Sequence, residues 1–437
     1  MEIGSGAFLG LNSLENLLIS DATISKIMSG AFLGLSNLRI LKFQNTQIET
    51  IQKRGFAPHS LISLIFDSCT ITNFESEAFS NFSVPKIPHL ANLSIRALQP
   101  GTFLDFHTHT VVLNLSHNKI EMVQSNTFES FERLKGLFLD YNRIHRLESD
   151  SFSFLINLLA LHISNNRLEN IPINAFVGLL SLQLLDLSHN QLQSTVKFVL
   201  PSDMHTLNLS YNNITHLVPR TFAKLSNLKI LDLSNNFIHT THKDVFTNLE
   251  NLDILDLSYN EIDNLDLSQL KNLFRLRVNS NNLRRLNADE LLRALPNLKD
   301  VSLQDNNFIC TEFTVTMQKL LAAHVMVRST NCIWEEDQDI DPGSVPIDSI
   351  FNLTNRLLAQ LEDVPKDPWN VELDELKMYQ DLDGYDLDDS SIFEVILVIL
   401  CILVLARLGV SVYSFCVVRE ERRRREEEQI LELNDTL

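Results

Sequence analysis

The stretch "LNLSHNKI", residues 113–120, decides the fold, and it reads two ways. Asn114-Leu-Ser is a glycan acceptor, and His117 and Asn118 carry groups capable of chemistry. The same residues also read as architecture, with Leu113, Leu115 and Ile120 buried and Asn118 holding a turn. Repetition favours architecture for Asn118. The chain returns to the pattern as "LLDLSHNQL" (184–192), "TLNLSYNNI" (206–214), "ILDLSNNFI" (230–238) and "ILDLSYNEI" (254–262). The shared form is L-x-x-L-x-L-x-x-N-x-L. A Phe commonly follows ten residues after the Asn, as in Asn118 to Phe128, Asn142 to Phe152, Asn166 to Phe176, Asn212 to Phe222 and Asn236 to Phe246.

Units begin near residues 14, 38, 61, 85, 110, 134, 158, 182, 204, 228, 252, 273 and 298. Alternation in L-x-L predicts one short strand per unit, with its leucines on one side. A single unit cannot bury them, so neighbours stack and their strands form a parallel sheet. The chain turns sharply after each strand and leaves backbone groups unpaired inside. A buried Asn amide both donates and accepts, so stacked Asn residues make a ladder. In the third unit the slot holds Cys69, read as a buried, inert thiol.

Thirteen such units resemble the extracellular, 24-residue type of leucine-rich repeat protein, as in Toll-like receptor ectodomains and insect repeat adhesion and immune proteins. The resemblance implies an α/β solenoid, horseshoe-shaped, with a parallel β-sheet on its concave face. It implies protein recognition rather than catalysis, and it specifies fold better than function. Residues 14–306 hold the repeats. Residues 1–13, "MEIGSGAFLGLNS", match only the second half of a unit, with Phe8 where Phe32 sits, and read as a partial repeat at a truncated N-terminus. Residues 307–334 read as a C-terminal cap with a short helix over the last strand. A Cys310–Cys332 disulfide there resembles a reduced version of the family's cap and would contribute about 3 kcal/mol; two free thiols are the alternative.

The formal net charge is −19, but its distribution is uneven. Seventeen acids against three bases lie between Glu335 and Asp389, a local net of −14, so the packed part is nearly neutral. Neither part suits a nucleic-acid partner. Residues 335–391 read as an acidic stalk. Within it, residues 347–361 place apolar side chains on one helical face, either a small homodimer seam or a segment docked on the cap. Tyr379 and Tyr385 are candidate sulfation sites or parts of a solvated linker. Residues 392–418 form a long apolar run, sufficient as one transmembrane helix. Five Arg follow within seven residues, so the positive-inside rule places the repeats outside the plasma membrane and residues 419–437 in the cytosol. Arg407 sits inside that span. It either pairs with an acidic residue in a partner's span or snorkels to the inner leaflet. Cys416 is a candidate palmitoylation site or a lipid-facing thiol. The tail is too short for a Toll-type signalling domain.

On the open sheet face the exposed strand positions include Asn114, Phe138, His162, Asp186, Asn208, Asp232, Asp256 and Arg277. Phe138 and His162, with Tyr141 and Tyr211, read as an aromatic patch for an extracellular protein ligand or a receptor on an opposed cell. Asp232 and Asp256 are adjacent like charges that Arg277 relieves. A routine solvated face is the alternative for both. Acceptor sequons fall at Asn81, Asn92, Asn114, Asn208, Asn213 and Asn352. The pairs His107 and His109, and His239 and His242, read as surface histidines. No nucleophile motif, phosphate loop or zinc signature is present, so neither enzyme activity nor a cofactor is expected.

Overall fold

The computed structural model describes residues 1–56, 61–79, 89–104, 110–194, 199–328 and 332–333. These belong to the first of two units, Met1–Trp334. The acidic segment 335–391, the apolar run 392–418 and the tail 419–437 lie outside the described residues, as do Asn81, Asn352, Tyr379, Tyr385, Arg407, Cys416, His107 and His109.

The strands are parallel, and each pairs with its counterpart one unit away. In the N-terminal part the first three full units each carry two strands where the spacing predicted one. The elements are β1 (Glu2–Ile3), β2 (Asn16–Ser20), β3 (Thr23–Ile27), β4 (Ile40–Gln44), β5 (Gln47–Ile51), β6 (Ser63–Asp67), β7 (Thr70–Phe74) and β8 (Ala97–Leu98). Strands β2, β4 and β6 form one sheet, and β1, β3, β5, β7 and β8 another. The second row exists because "TISKI", "QIETI" and "TITNF" are rich in β-branched residues with apolar alternation. It shortens along the chain to β10 (Met122–Val123) and β12 (Arg146–Leu147), then to single bridges such as Ser194–His216 and Thr240–Asn264.

The first row becomes a ten-stranded sheet. It runs through β9 (Val112–Asn114), β11 (Gly136–Phe138), β13 (Ala160–His162), β14 (Leu184–Asp186), β15 (Thr206–Asn208), β16 (Ile230–Asp232), β17 (Ile254–Asp256), β18 (Arg275–Arg277), β19 (Asp300–Ser302) and β20 (Met326–Arg328). The middle residue of each of the first nine strands is a fully buried Leu or Val. Phenylalanines make a spine behind them. Phe8, Phe32, Phe56, Phe79 and Phe103 stack at 5.5–6.2 Å, and Phe128, Phe152 and Phe176 at 6.1–6.2 Å. Where Asn190 is followed ten residues later by Leu200, the leucine is buried in its place.

The Asn ladder is continuous from Asn118 to Asn306. Asn142 is representative: its Nδ2 donates to Leu115 O at 3.0 Å and Leu139 O at 2.9 Å, and its Oδ1 accepts from Ile120 N at 3.0 Å. Each amide thus serves its own turn and the preceding unit. The four earlier slots hold Ala22, Thr46, Cys69 and Leu93. Cys69 is a buried free thiol whose Sγ donates to Asp67 O at 3.3 Å; burial pushes its pKa up. In all thirteen units the residue before the slot has a left-handed backbone, from Asp21 (φ 53°) through Tyr141 (φ 53°) and Tyr211 (φ 53°) to Asp305 (φ 54°).

Helix α1 (Ala288–Ala294) starts at Asn287, whose side chain accepts from the backbone N–H groups of Asp289 and Glu290. Helix α2 (Cys310–Ala322) closes the solenoid: Phe313 and Leu320 are buried, and Cys310 is bonded to Cys332 with Cα atoms 4.9 Å apart. Beyond α2 the chain adds β20 to the sheet edge, an element the cap sequence did not suggest.

Candidate ligand-recognition face

Sheet register lines up one outward row: Asn114, Phe138, His162, Asp186, Asn208, Asp232, Asp256, Arg277, Ser302 and Arg328. Adjacent members are about 4.8 Å apart across the strands. Two residues further along each strand lies a second row, mostly Ser: Ser116, Ser164, Ser188, Ser210, Ser234 and Ser258. Asp140 interrupts it.

Phe138 and His162 do meet, stacked at 4.8 Å. His162 is not an exposed contact residue, however; it is only 5% exposed, covered by Phe138 and the flanking carboxylates. Its Nδ1 lies 3.9 Å from Asp186 Oδ2. Burial opposes its protonation, but Asp186 and Asp140 outweigh burial and raise its pKa above the usual imidazole value. Asp140 Oδ1 accepts from Ser164 N and Oγ, both at 2.9 Å. Burial pushes the Asp140 carboxyl up, aided by Asp186, against the pull of His162 and Ser164. Burial also opposes ionisation of Asp186, but the attraction of His162 and the bonding to Ser188 win, and its pKa is lowered.

The aromatic patch is also differently composed. Tyr141 sits at the turn, 40% exposed, and stacks on His117 at 4.4 Å. Tyr211 belongs three units further on and stacks on His189 at 4.1 Å. Phe138 with His162 and Tyr141 with His117 are thus two stacked pairs on neighbouring units, and Tyr211 with His189 is a third. Tyr141 and Tyr211 do not meet, because equivalent positions in consecutive units are one strand apart and a three-unit separation is about 14 Å.

Asp232 and Asp256 are register partners. Arg277 Nη1 bonds Asp256 Oδ2 at 3.2 Å, and Ser258 N and Oγ bond its Oδ1. Asp232 accepts from Ser234 N at 2.9 Å; burial and the neighbouring Asp256 push its pKa up to about 7. Asp256 itself is buried, so the pair is partly withdrawn from solvent rather than presented as two open charges. Further along, Asp300 Oδ2 bonds Arg275 Nε at 2.9 Å and Arg328 Nη2 at 3.4 Å, a charge cluster the sequence did not reveal.

Asn92, Asn114 and Asn213 are exposed, and Asn208 is partly buried, its Oδ1 accepting from Ser210 N and Oγ. His239 pairs with Glu261 at 3.1 Å, and His242 lies 4.0 Å from Asp244. Among the described residues no group of three or more His, Cys, Asp or Glu side chains is placed to hold a metal ion. Also among these residues, no helix is long and apolar enough to cross a membrane.

Two family models match. A leucine-rich repeat model fits residues 132–192, 202–262 and 226–283, and a BspA type leucine-rich repeat region (6 copies) fits residues 1–121. The chain is a leucine-rich repeat protein. The junction between the two repeat types falls where the second strand row shortens. No curated protein matches the sequence. Among solved structures the leucine-rich repeats are similar to Toll in the Drosophila Toll–Spatzle complex, at 22% identity and TM-score 0.61, covering 77% of this chain and 49% of that one. They are also similar to TLR13 in its complex with ssRNA13, at 22% identity and TM-score 0.50, covering 72% and 53%. An internalin of Listeria monocytogenes, inlF, shares 21% identity at TM-score 0.49, covering 75% and 88%. The chain spans about half the length of the first two. At this identity the likenesses to Toll and TLR13 bear on the fold alone.

Proposed function

We propose that this leucine-rich repeat protein recognises an extracellular protein partner through its ten-stranded sheet, as a non-enzymatic adhesion molecule or co-receptor at the cell surface. The observation that carries the reading is the two stacked pairs that include Phe138 and Tyr141, with Asp186 beside His162 and Asp140 between the two rings in sequence. Large rings held in place by stacking lose little freedom on binding, which is why such residues anchor protein interfaces. The carboxylates of this face repel a phosphate backbone, so a protein ligand suits it better than RNA. Alanine at Phe138 and Tyr141 together should weaken capture of the partner by the full chain at least tenfold, with secondary structure and surface display preserved. Unchanged capture would remove this face from the account.

In the same reading, residues 392–418 anchor the protein once in the plasma membrane, with the repeats outside and residues 419–437 in the cytosol. The basis is apolar length and the Arg cluster after it. Protease added to intact cells should then release the repeats into the medium. Arg407 would face an acidic residue of a partner's span. Asn92, Asn114, Asn208 and Asn213 would carry glycans, as would Asn81 and Asn352, while Tyr379 and Tyr385 would be sulfated.

A second reading, an innate-immune receptor signalling through a partner subunit, is favoured by one observation: the likeness to Toll, seen in complex with the protein Spatzle. The two separate in a cell-aggregation assay. Adhesion needs only the protein on opposed cells, whereas the receptor needs a soluble ligand and leaves cells dispersed.

A further inference from the structure

In twelve of the thirteen units the residue directly after the ladder slot is polar, as with Arg167, Gln191 and Glu261; in the tenth it is Phe237, 48% exposed. The position faces outward because the next residue belongs to the core: Ile214 after Asn213 and Ile238 after Phe237 are fully buried. Asn213 is the counterpart of Phe237 in the preceding unit, and it is exposed. The Phe237 N–H donates to Ile214 O at 2.9 Å, so the two units join beside these side chains. Asn213-Ile214-Thr215 is an acceptor sequence for an N-linked glycan. The row's one apolar side chain thus stands beside its one acceptor asparagine. We infer that the Phe237 ring is the platform for the first N-acetylglucosamine of a glycan on Asn213.

The inference rests on the reading that places the repeats outside the cell, where such glycans occur. Its physical basis is the cover a sugar gives to a wet ring. A phenyl face left in water is unfavourable, and a polar row offers it no apolar neighbour. On the far side Glu261 pairs with His239 at 3.1 Å. A pyranose carries a face of C–H groups, and these meet the negative face of an aromatic ring. Equivalent positions in consecutive units lie about 4.8 Å apart, a step that one sugar ring spans. Covalent attachment holds the sugar at high effective concentration beside the ring, so a weak contact suffices to keep it there. A glycan held in this way covers the flank beside β15 and β16. Phe237 lies four units beyond Tyr141, about 19 Å along the sheet, so the Phe138 end of the face stays open to a partner.

The test expresses the full chain in animal cells and follows the Asn213 peptide by mass spectrometry while peptide N-glycosidase acts on the folded protein. Asn213 should be occupied and its glycan released slowly. Phe237→Gln should speed release about fivefold or more, whereas Phe237→Tyr, which keeps a ring, should leave it slow. In the Thr215→Ala background, which carries no glycan at Asn213, Phe237→Gln should leave the unfolding transition in place. A bare Asn213, equal release from the Phe237 and Gln forms, or a Tyr form as fast as the Gln form would overturn the inference. Asn213 bare while Asn92 is occupied would sink this inference alone, whereas no glycan at any acceptor would sink the extracellular placement with it. Capture of a partner through Phe138 and Tyr141 is read independently of both.

Discussion

The first four units and the nine that follow solve the same problem by different means. Each must satisfy the backbone where the chain leaves its strand. From Asn118 onward a side-chain amide does this, donating to carbonyls and accepting from backbone N–H of the preceding unit, two at Asn118 and one at Asn142. Before it, Thr46 Oγ1 donates to Ile19 O and Gln44 O, Cys69 donates once, and Ala22 and Leu93 carry no polar side-chain group. There the second strands take over: Gln47 N donates to Ala22 O and Thr70 N to Thr46 O, at the heads of β5 and β7. The two halves also differ outside. The N-terminal sheet exposes Leu18 (56%), Ile40 and Ile65, with Ile62 exposed just before β6, whereas the later sheet is lined with Asp, Asn and Ser. A turn held by side chains leaves the strand short and the flank irregular; a turn held by backbone pairing demands a second sheet.

The comparison can be broken by substitution. The largest effect is expected at Asn166, deep in the ladder. Asn166→Ala strands the N–H of Ile144 and leaves the carbonyl of Leu139 with Asn142 as its remaining side-chain donor, and should cost about 3 kcal/mol in urea unfolding. Reduction of Cys310–Cys332 should cost a similar amount, about 3 kcal/mol, with protection from hydrogen exchange lost first in α2 and β20. Thr46→Ala should cost only about 1 kcal/mol, because strand pairing already serves its turn. A loss at Thr46 equal to that at Asn166 would erase the distinction.

A finer test uses pH. The Asp232 carboxyl titrates at about 7 in the fold against an ordinary 3.8, so the unfolded chain loses its proton first. Stability therefore falls as pH rises from about 4 to about 7 and then levels off. His162, with a raised pKa, acts in the same sense: its contribution is full below the ordinary imidazole value and fades as pH climbs through the folded one. Asp232→Asn should raise the melting temperature at pH 8 and leave it nearly unchanged at pH 4. An equal shift at both would assign the effect to packing.

The repeat period, the core leucines, the phenylalanine spine and the Asn ladder were all legible, because each recurs and each has one physical role. The second strand row was not, since "QIETI" repeats only among its neighbours and fades by Met122. Site residues were legible in register but not in exposure. His162 has the correct neighbour in Phe138, yet spacing alone does not reveal the carboxylates that enclose it. A signal for Asp140 was present: "LFLDYN" carries Asp where "LDLSHN" and "LNLSYN" carry Ser. The arginine pair around Asp300 left no comparable trace, because it joins three strands by side-chain reach.

The left-handed residue ahead of every ladder slot has a consequence for how this chain can vary. None of the thirteen is β-branched; they are Asp, Asn, Ser, His and Tyr, side chains that tolerate the conformation better. Valine scanned through the solenoid should thus leave thirteen evenly spaced scars, while glycine at the same places passes quietly. The rim is free to change its chemistry, including the rings it shows to a visitor, only within that narrow alphabet.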